Sequence, residues 1–144
     1  MGAQPWYYFV PYQPNISLAL QELRLREFEA GRYYPAIDFP MLATSEAPGP
    51  QHSSIEEAVK ASLDNGTRSI LDIERTASEL DYRTVSPLPV EELLRLYGTT
   101  KPTREQVEAG MDFYEMLDRG QGIFLTTYKA GDPHEILFAG YSFD

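Results

Sequence analysis

The chain has 144 residues, 42% of them hydrophobic and 12% aromatic, which is enough for one buried core and too apolar for a disordered tail. Twelve basic against 22 acidic residues give a net charge of −10, which argues against nucleic acid and anionic membranes as partners because both attract basic surfaces. Cysteine is absent, and with it disulfides, thiol nucleophiles and thiolate metal sites.

Residues 1–20 carry no basic n-region, and Gln4, Pro5, Pro11, Gln13, Pro14 and Asn15 break up their apolar run, so no signal peptide is expected. No apolar run approaches the ~18 residues of a membrane-spanning helix. The expectation is a soluble, cytoplasmic protein.

Trp6 to Val10 is an aromatic and β-branched run closed by Pro11, which predicts a buried strand. Asn15 is placed to cap a helix from Ile16 to about Ala30, and Gly31 to end it. Ile16, Ala19, Leu20, Leu23 and Ala30 share one face of that helix, while Leu18 and Leu25 lie nearly opposite. Two apolar stripes predict a helix covered on both sides or one bearing a contact surface. Residues 35–51 are punctuated by Pro35, Pro40, Pro48, Gly49 and Pro50 and read as a long loop, functional or mobile, within a single domain spanning 1–144.

Ser53 with Glu56, or Ser54 with Glu57, forms a capping box for a second helix whose stripe is Ile55, Ala58, Val59 and Leu63, stopped by Gly66. Over 68–75 alternation and helical spacing compete. The β-branched cluster after Gly66 and Thr67 favours a strand, with Asp72 and Glu74 on one side. Pro89 suits the first position of a third helix with an apolar face of Val90, Leu93, Leu94 and Tyr97, closed by Gly98. Thr103 and Gln106 form a second capping box, opening a fourth helix from about Arg104 to Arg119 with Val107, Gly110, Tyr114 and Leu117 inward. Residues 122–128 and 134–143 read as a hairpin, and the last strand is apolar at both parities, which places it centrally. The sum is an α+β fold: a sheet of about four strands, mostly antiparallel, with about four helices packed on it.

Catalytic signatures are scarce. His52 and His134 fall in a loop and at a turn and read as surface imidazoles, and no G-x-S-x-G elbow exists. No H-x-x-x-H, EF-hand or glycine-rich phosphate loop is present. Asp72 and Glu74 would project together as in some magnesium-dependent nucleases, but Arg75 stands where a lysine is usual and no basic track for DNA accompanies them. No cofactor or metal site is expected.

Two constellations remain. Glu105, Glu108, Asp112 and Glu115 would fall within about 80° of one another on one continuous helix, a negative stripe ended by Arg119 and suited to a basic protein partner. Tyr7, Tyr12, Tyr33 and Tyr34 belong to an aromatic-rich N-terminal region that could line a ligand groove. The first favours a non-enzymatic acidic interaction protein, such as an inhibitor or immunity-type binder of a basic partner. The alternative is a small ligand-binding domain or enzyme with its pocket near the tyrosines and the 35–51 loop.

Overall fold

The structure is a computed structural model describing residues 3–36 and 47–143. Residues 37–46 lie outside the described residues, so the expectation of a loop over 35–51 is followed only at its two ends.

The first strand, β1 (Pro5–Pro11), alternates as an edge strand with different environments on its two faces should. Trp6, Tyr8 and Val10 are buried on one face, while Tyr7 and Phe9 point to the other. Helix α1 (Ile16–Ala30) is capped as expected: the Asn15 side chain accepts from the Leu18 amide, and Gly31 ends the helix with φ of 77°. That left-handed conformation favours glycine, and a Cβ there would also strike the Gly49 carbonyl. Leu20 and Leu23 are buried beneath α1, whereas Leu18 and Leu25 remain half exposed on its outer side. Helix α2 (Ile55–Ala61) is opened by Ser54, whose hydroxyl accepts from the Glu57 amide.

Three expectations fail in the middle of the chain. The segment 68–75 is not one strand: Ile70–Asp72 forms a 3-10 turn, and only Arg75–Thr76 pairs, as β2. The cause is local, because the Ser69 hydroxyl accepts from the Leu71 amide and the Asp72 carboxylate accepts from the Thr67 and Arg68 amides. Such side-chain bonds offer the backbone an alternative to a sheet ladder. A strand the sequence did not signal, β3 (Thr84–Pro87), lies between β2 and the hairpin. Leu63 is 69% exposed, not core, because α2 stops at Ala61 and the helical period no longer applies.

Helix α3 (Val90–Tyr97) begins after Pro89, which serves as its N-cap. The fourth helix is much shorter than expected. α4 covers Arg104–Ala109, opened by the Thr103–Gln106 capping box, and a separate 3-10 segment covers Asp112–Met116. Gly110 adopts an extended conformation, and its carbonyl accepts the Tyr97 hydroxyl instead of a helical amide. Glycine is a poor helix residue, costing about 1 kcal/mol relative to alanine, so this capture is enough to end α4.

Strands β4 (Gln121–Lys129) and β5 (Asp132–Tyr141) form the hairpin. Ala130 and Gly131 both have positive φ, as a two-residue turn between twisted strands requires. The sheet order is β1-β5-β4-β3-β2, with β1, β5 and β4 antiparallel and β4, β3 and β2 parallel. The fold is therefore α+β with five strands in a mixed sheet, one more strand and more parallel pairing than the sequence indicated. The parallel β3–β4 step needs a crossover, and α3 and α4 supply it.

The sheet separates two apolar layers. On one face α1, α2 and the Ile70–Asp72 turn cover Tyr8, Val10, Ile136 and Phe138. On the other, Val107, Phe113 and Leu117 cover Ile123, Leu125, Leu137 and Ala139. β5 is central and buried at both parities, as its composition predicted. Gly122 and Gly140 face each other across β4 and β5, and the Trp6 indole lies across both. A Cβ on Gly140 would come within 2.6 Å of that indole, so glycine makes the close approach possible here.

Candidate functional site

The division into two layers decides how the candidate residues group. Glu105, Glu108, Asp112 and Glu115 are all exposed, but the break at Gly110 distributes them over two elements. Glu105 and Glu108 belong to α4. Glu108 is bound by Arg104, whose Nε lies 3.1 Å from its carboxylate. The same guanidinium reaches both carboxylate oxygens of Glu135 on β5 and stacks 4.2 Å from the centroid of Phe9. Arg104 thus ties α4 to the sheet and offsets the charge of Glu108.

Asp112 and Glu115 lie on the 3-10 segment, beside α3. Both act electrostatically on the Arg95 guanidinium, which is raised above its ordinary pKa first by its hydrogen bonds to Glu92. Asp112 also contributes to the Tyr97 hydroxyl, which burial first and Asp112 second raise to about 12. Neither Asp112 nor Glu115 forms an ion pair among the described residues. Part of α3 is unexpectedly open. Val90 is 56% and Leu94 49% exposed, although helical spacing places both on the inner stripe. Leu93, Leu96 and Tyr97 make the inward contacts instead. Sequence spacing grouped Leu94 with Leu93 and Tyr97 and could not rank which edge of a short stripe would be covered.

The four tyrosines do not converge. Tyr7 is 47% exposed on the α3 and α4 side of β1, edge-on to Phe9. Tyr33 is fully buried on the other side, stacked on Phe28 with its hydroxyl hydrogen-bonded to Nδ1 of His52 at 2.8 Å. Tyr34 lies under the Arg68 guanidinium, 4.6 Å from its ring centroid. Tyr12, 38% exposed, borders a hollow of about 250 Å³ formed with Val10, Leu23 and Arg26. His52 is therefore half buried and engaged by a tyrosine, not a surface imidazole, while His134 is exposed beside Glu135.

Asp72 is buried, not displayed beside Glu74 on a strand. Its carboxylate accepts from the Thr67 hydroxyl at 2.8 Å and from the Thr67 and Arg68 amides. Burial raises its pKa above the ordinary carboxylate value, against the opposing pull of those hydrogen bonds. Glu27 is a second buried carboxylate, held by Arg32 through both oxygens and by Arg26. Both are knit into the fold. Among the described residues, no group of three or more histidine and acidic side chains could hold a metal ion, and no helix is long and apolar enough to cross a membrane.

One concavity went unread in the sequence. Arg24 of α1, Lys60 of α2 and Arg83, just ahead of β3, border a hollow of about 400 Å³. Three cations gathered in a chain of net charge −10 leave no local signal, because they come from three separate elements. Comparison with protein-family models, with curated proteins and with solved structures finds no match to the chain.

Proposed function

We propose that the chain is a non-enzymatic acidic binding protein, an inhibitor or immunity-type binder, that docks a basic protein on the surface shared by α3 and the Asp112–Met116 segment. The observation that carries this is the pair Val90 and Leu94, one helical turn apart and half exposed on α3, a helix that packs on the segment carrying the exposed carboxylates of Asp112 and Glu115, which form no ion pair among the described residues and act on Arg95 of α3. Exposed apolar side chains give a contact surface its affinity, and neighbouring charges select a partner of opposite sign and speed its approach. The net charge of −10 works in the same direction at long range and against nucleic acid and anionic membranes. Glu105 and Glu108 belong to the rim in this reading, with Glu108 muted by Arg104. A cytoplasmic location is part of the same proposal.

The test uses a short synthetic Lys/Leu amphipathic helix as the basic probe, followed by stopped-flow fluorescence at low and high salt. Asp112→Lys with Glu115→Lys is expected to weaken binding roughly tenfold, mostly through association, since each exposed charge pair is worth ~0.2–1 kcal/mol and reversal turns attraction into repulsion. Val90→Ser with Leu94→Ser is expected to speed dissociation instead. If neither pair of substitutions changes a rate, the surface is a solubilising face.

A further inference from the structure

We infer that the hollow bordered by Arg24, Lys60 and Arg83 is a binding site for a small amphipathic carboxylate, separate from the protein-docking surface. The hollow measures about 400 Å³, within the range of ligand pockets. Its apolar wall is made by Ile55, Val59 and Leu63 of α2 and the turn that follows it. Leu63, the most exposed large apolar side chain among those described, forms the rim, which gives its exposure a use that packing does not.

The cationic wall is held in place by the backbone. Arg24 donates from one terminal nitrogen to the Gln21 side chain and from the other to the Leu71 carbonyl. Its Nε is buried and has no hydrogen-bond partner among the described residues. That nitrogen is closed off from the hollow, so what Arg24 offers an anion there is its charge. Burial lowers the Arg24 pKa, so an anion that approaches meets a poorly solvated charge. Arg83 takes φ of 64°, a conformation uncommon for residues other than glycine, and it is fixed there by backbone bonds from its amide to Gly120 and from the Glu74 amide to its carbonyl. Its Nε donates to the Asp72 carbonyl, which orients the guanidinium at the hollow. Strained residues of this kind persist where the surroundings over-determine them, and they cluster at ligand sites. Lys60 has no ion-pair or hydrogen-bond partner among the described residues.

Two carboxylates also line the hollow. Glu74 is engaged by Arg83 at 3.4 Å, and Glu56 is exposed at the edge. Among the side chains that line the hollow three cations outnumber two carboxylates, with the buried Asp72 carboxylate also acting on Arg24 and Arg83 from behind the wall, and the apolar tail of a monoanion would lie on Ile55, Val59 and Leu63.

Octanoate and its neutral counterpart octanol are the probes, titrated into the full chain by calorimetry and by amide chemical shifts. Octanoate is expected to bind saturably at one site, about tenfold more tightly than octanol. Arg24→Gln and Arg83→Asn are each expected to remove most of that preference, asparagine being chosen because it tolerates positive φ. Lys60→Gln, at an exposed position that cannot unfold the chain, is expected to weaken octanoate about threefold and leave octanol unchanged. The docking variants at Asp112 and Glu115 should bind octanoate as the native chain does, so failure of either proposal is seen separately. Equal affinity for octanoate and octanol, absence of saturable octanoate binding, or an unchanged preference in all three variants overturns the inference.

Discussion

Replacing Phe138 with alanine removes the ring at the centre of the sheet. Phe138 is fully buried on β5, opposite Tyr8 of β1 and Phe124 of β4, with 6.3 Å between its ring centroid and that of Phe124. A buried aromatic side chain covers ~150–250 Å². At ~25 cal/mol per Å² the transfer loss alone approaches ~3 kcal/mol once the alanine methyl is allowed for. The hole adds to this. β5 is hydrogen-bonded on both sides, so the backbone cannot close on the cavity, and the total falls in the ~3–5 kcal/mol range of such substitutions. A domain holds ~5–15 kcal/mol in all, so the variant should fold with a thin margin. The assay is urea unfolding followed by fluorescence of Trp6, the one tryptophan, which is buried against the same sheet. With m of ~1–3 kcal/mol per molar, the midpoint should fall by ~1–5 M at unchanged m, and by about 2 M at the middle of both ranges. Leu63→Ala, on an exposed side chain, should shift it little. A loss below ~1 kcal/mol for Phe138→Ala would refute the central placement of β5.

Gly140→Ala should cost at least ~2 kcal/mol and shift the Trp6 emission, since the added methyl meets both the indole and the Gln121 carbonyl; an unchanged spectrum contradicts the close approach. Asp72, with its pKa raised by burial, binds its proton more tightly in the folded chain than in the unfolded one. In the window between the ordinary value of ~3.9 and the raised one, its contribution to stability therefore falls as pH rises. A carboxyl carbon titration by NMR checks the direction, and a midpoint at or below the ordinary value counts against it.

Features governed by local chemistry were legible in the sequence. The caps at Asn15 and Thr103, a serine cap at Ser53 or Ser54 and the stop at Gly31 depend on residues adjacent in the chain, so short-range reading found them, while the hairpin turn was found with its second strand begun at 134 and not at Asp132. β3 was hidden because Thr84-Val85-Ser86-Pro87 carries almost no apolar signal. Its Thr84 and Ser86 are buried only because β2 and β4 flank it. The β-branched run at 68–75 lost to hydrogen bonds that backbone amides donate to Ser69 and Asp72, which composition does not weigh. The acidic stripe was legible as charge and not as geometry. Its continuity depended on Gly110, and the state of Glu108 on an arginine that also binds Glu135 across the sequence. The tyrosines failed to meet because Tyr7 of β1 faces the α3 and α4 layer, whereas Tyr33 was drawn into the core of the opposite layer with Phe28.

The measurement that bears most directly on the proposed function is the footprint of the Lys/Leu amphipathic helix on the isotope-labelled chain. We expect amide shifts concentrated on Val90–Tyr97 and Asp112–Met116, fading as salt rises, with the α1 and α2 layer unmoved. Shifts centred on another surface, or spread evenly over the acidic residues, would contradict a docking site built from Val90, Leu94, Asp112 and Glu115.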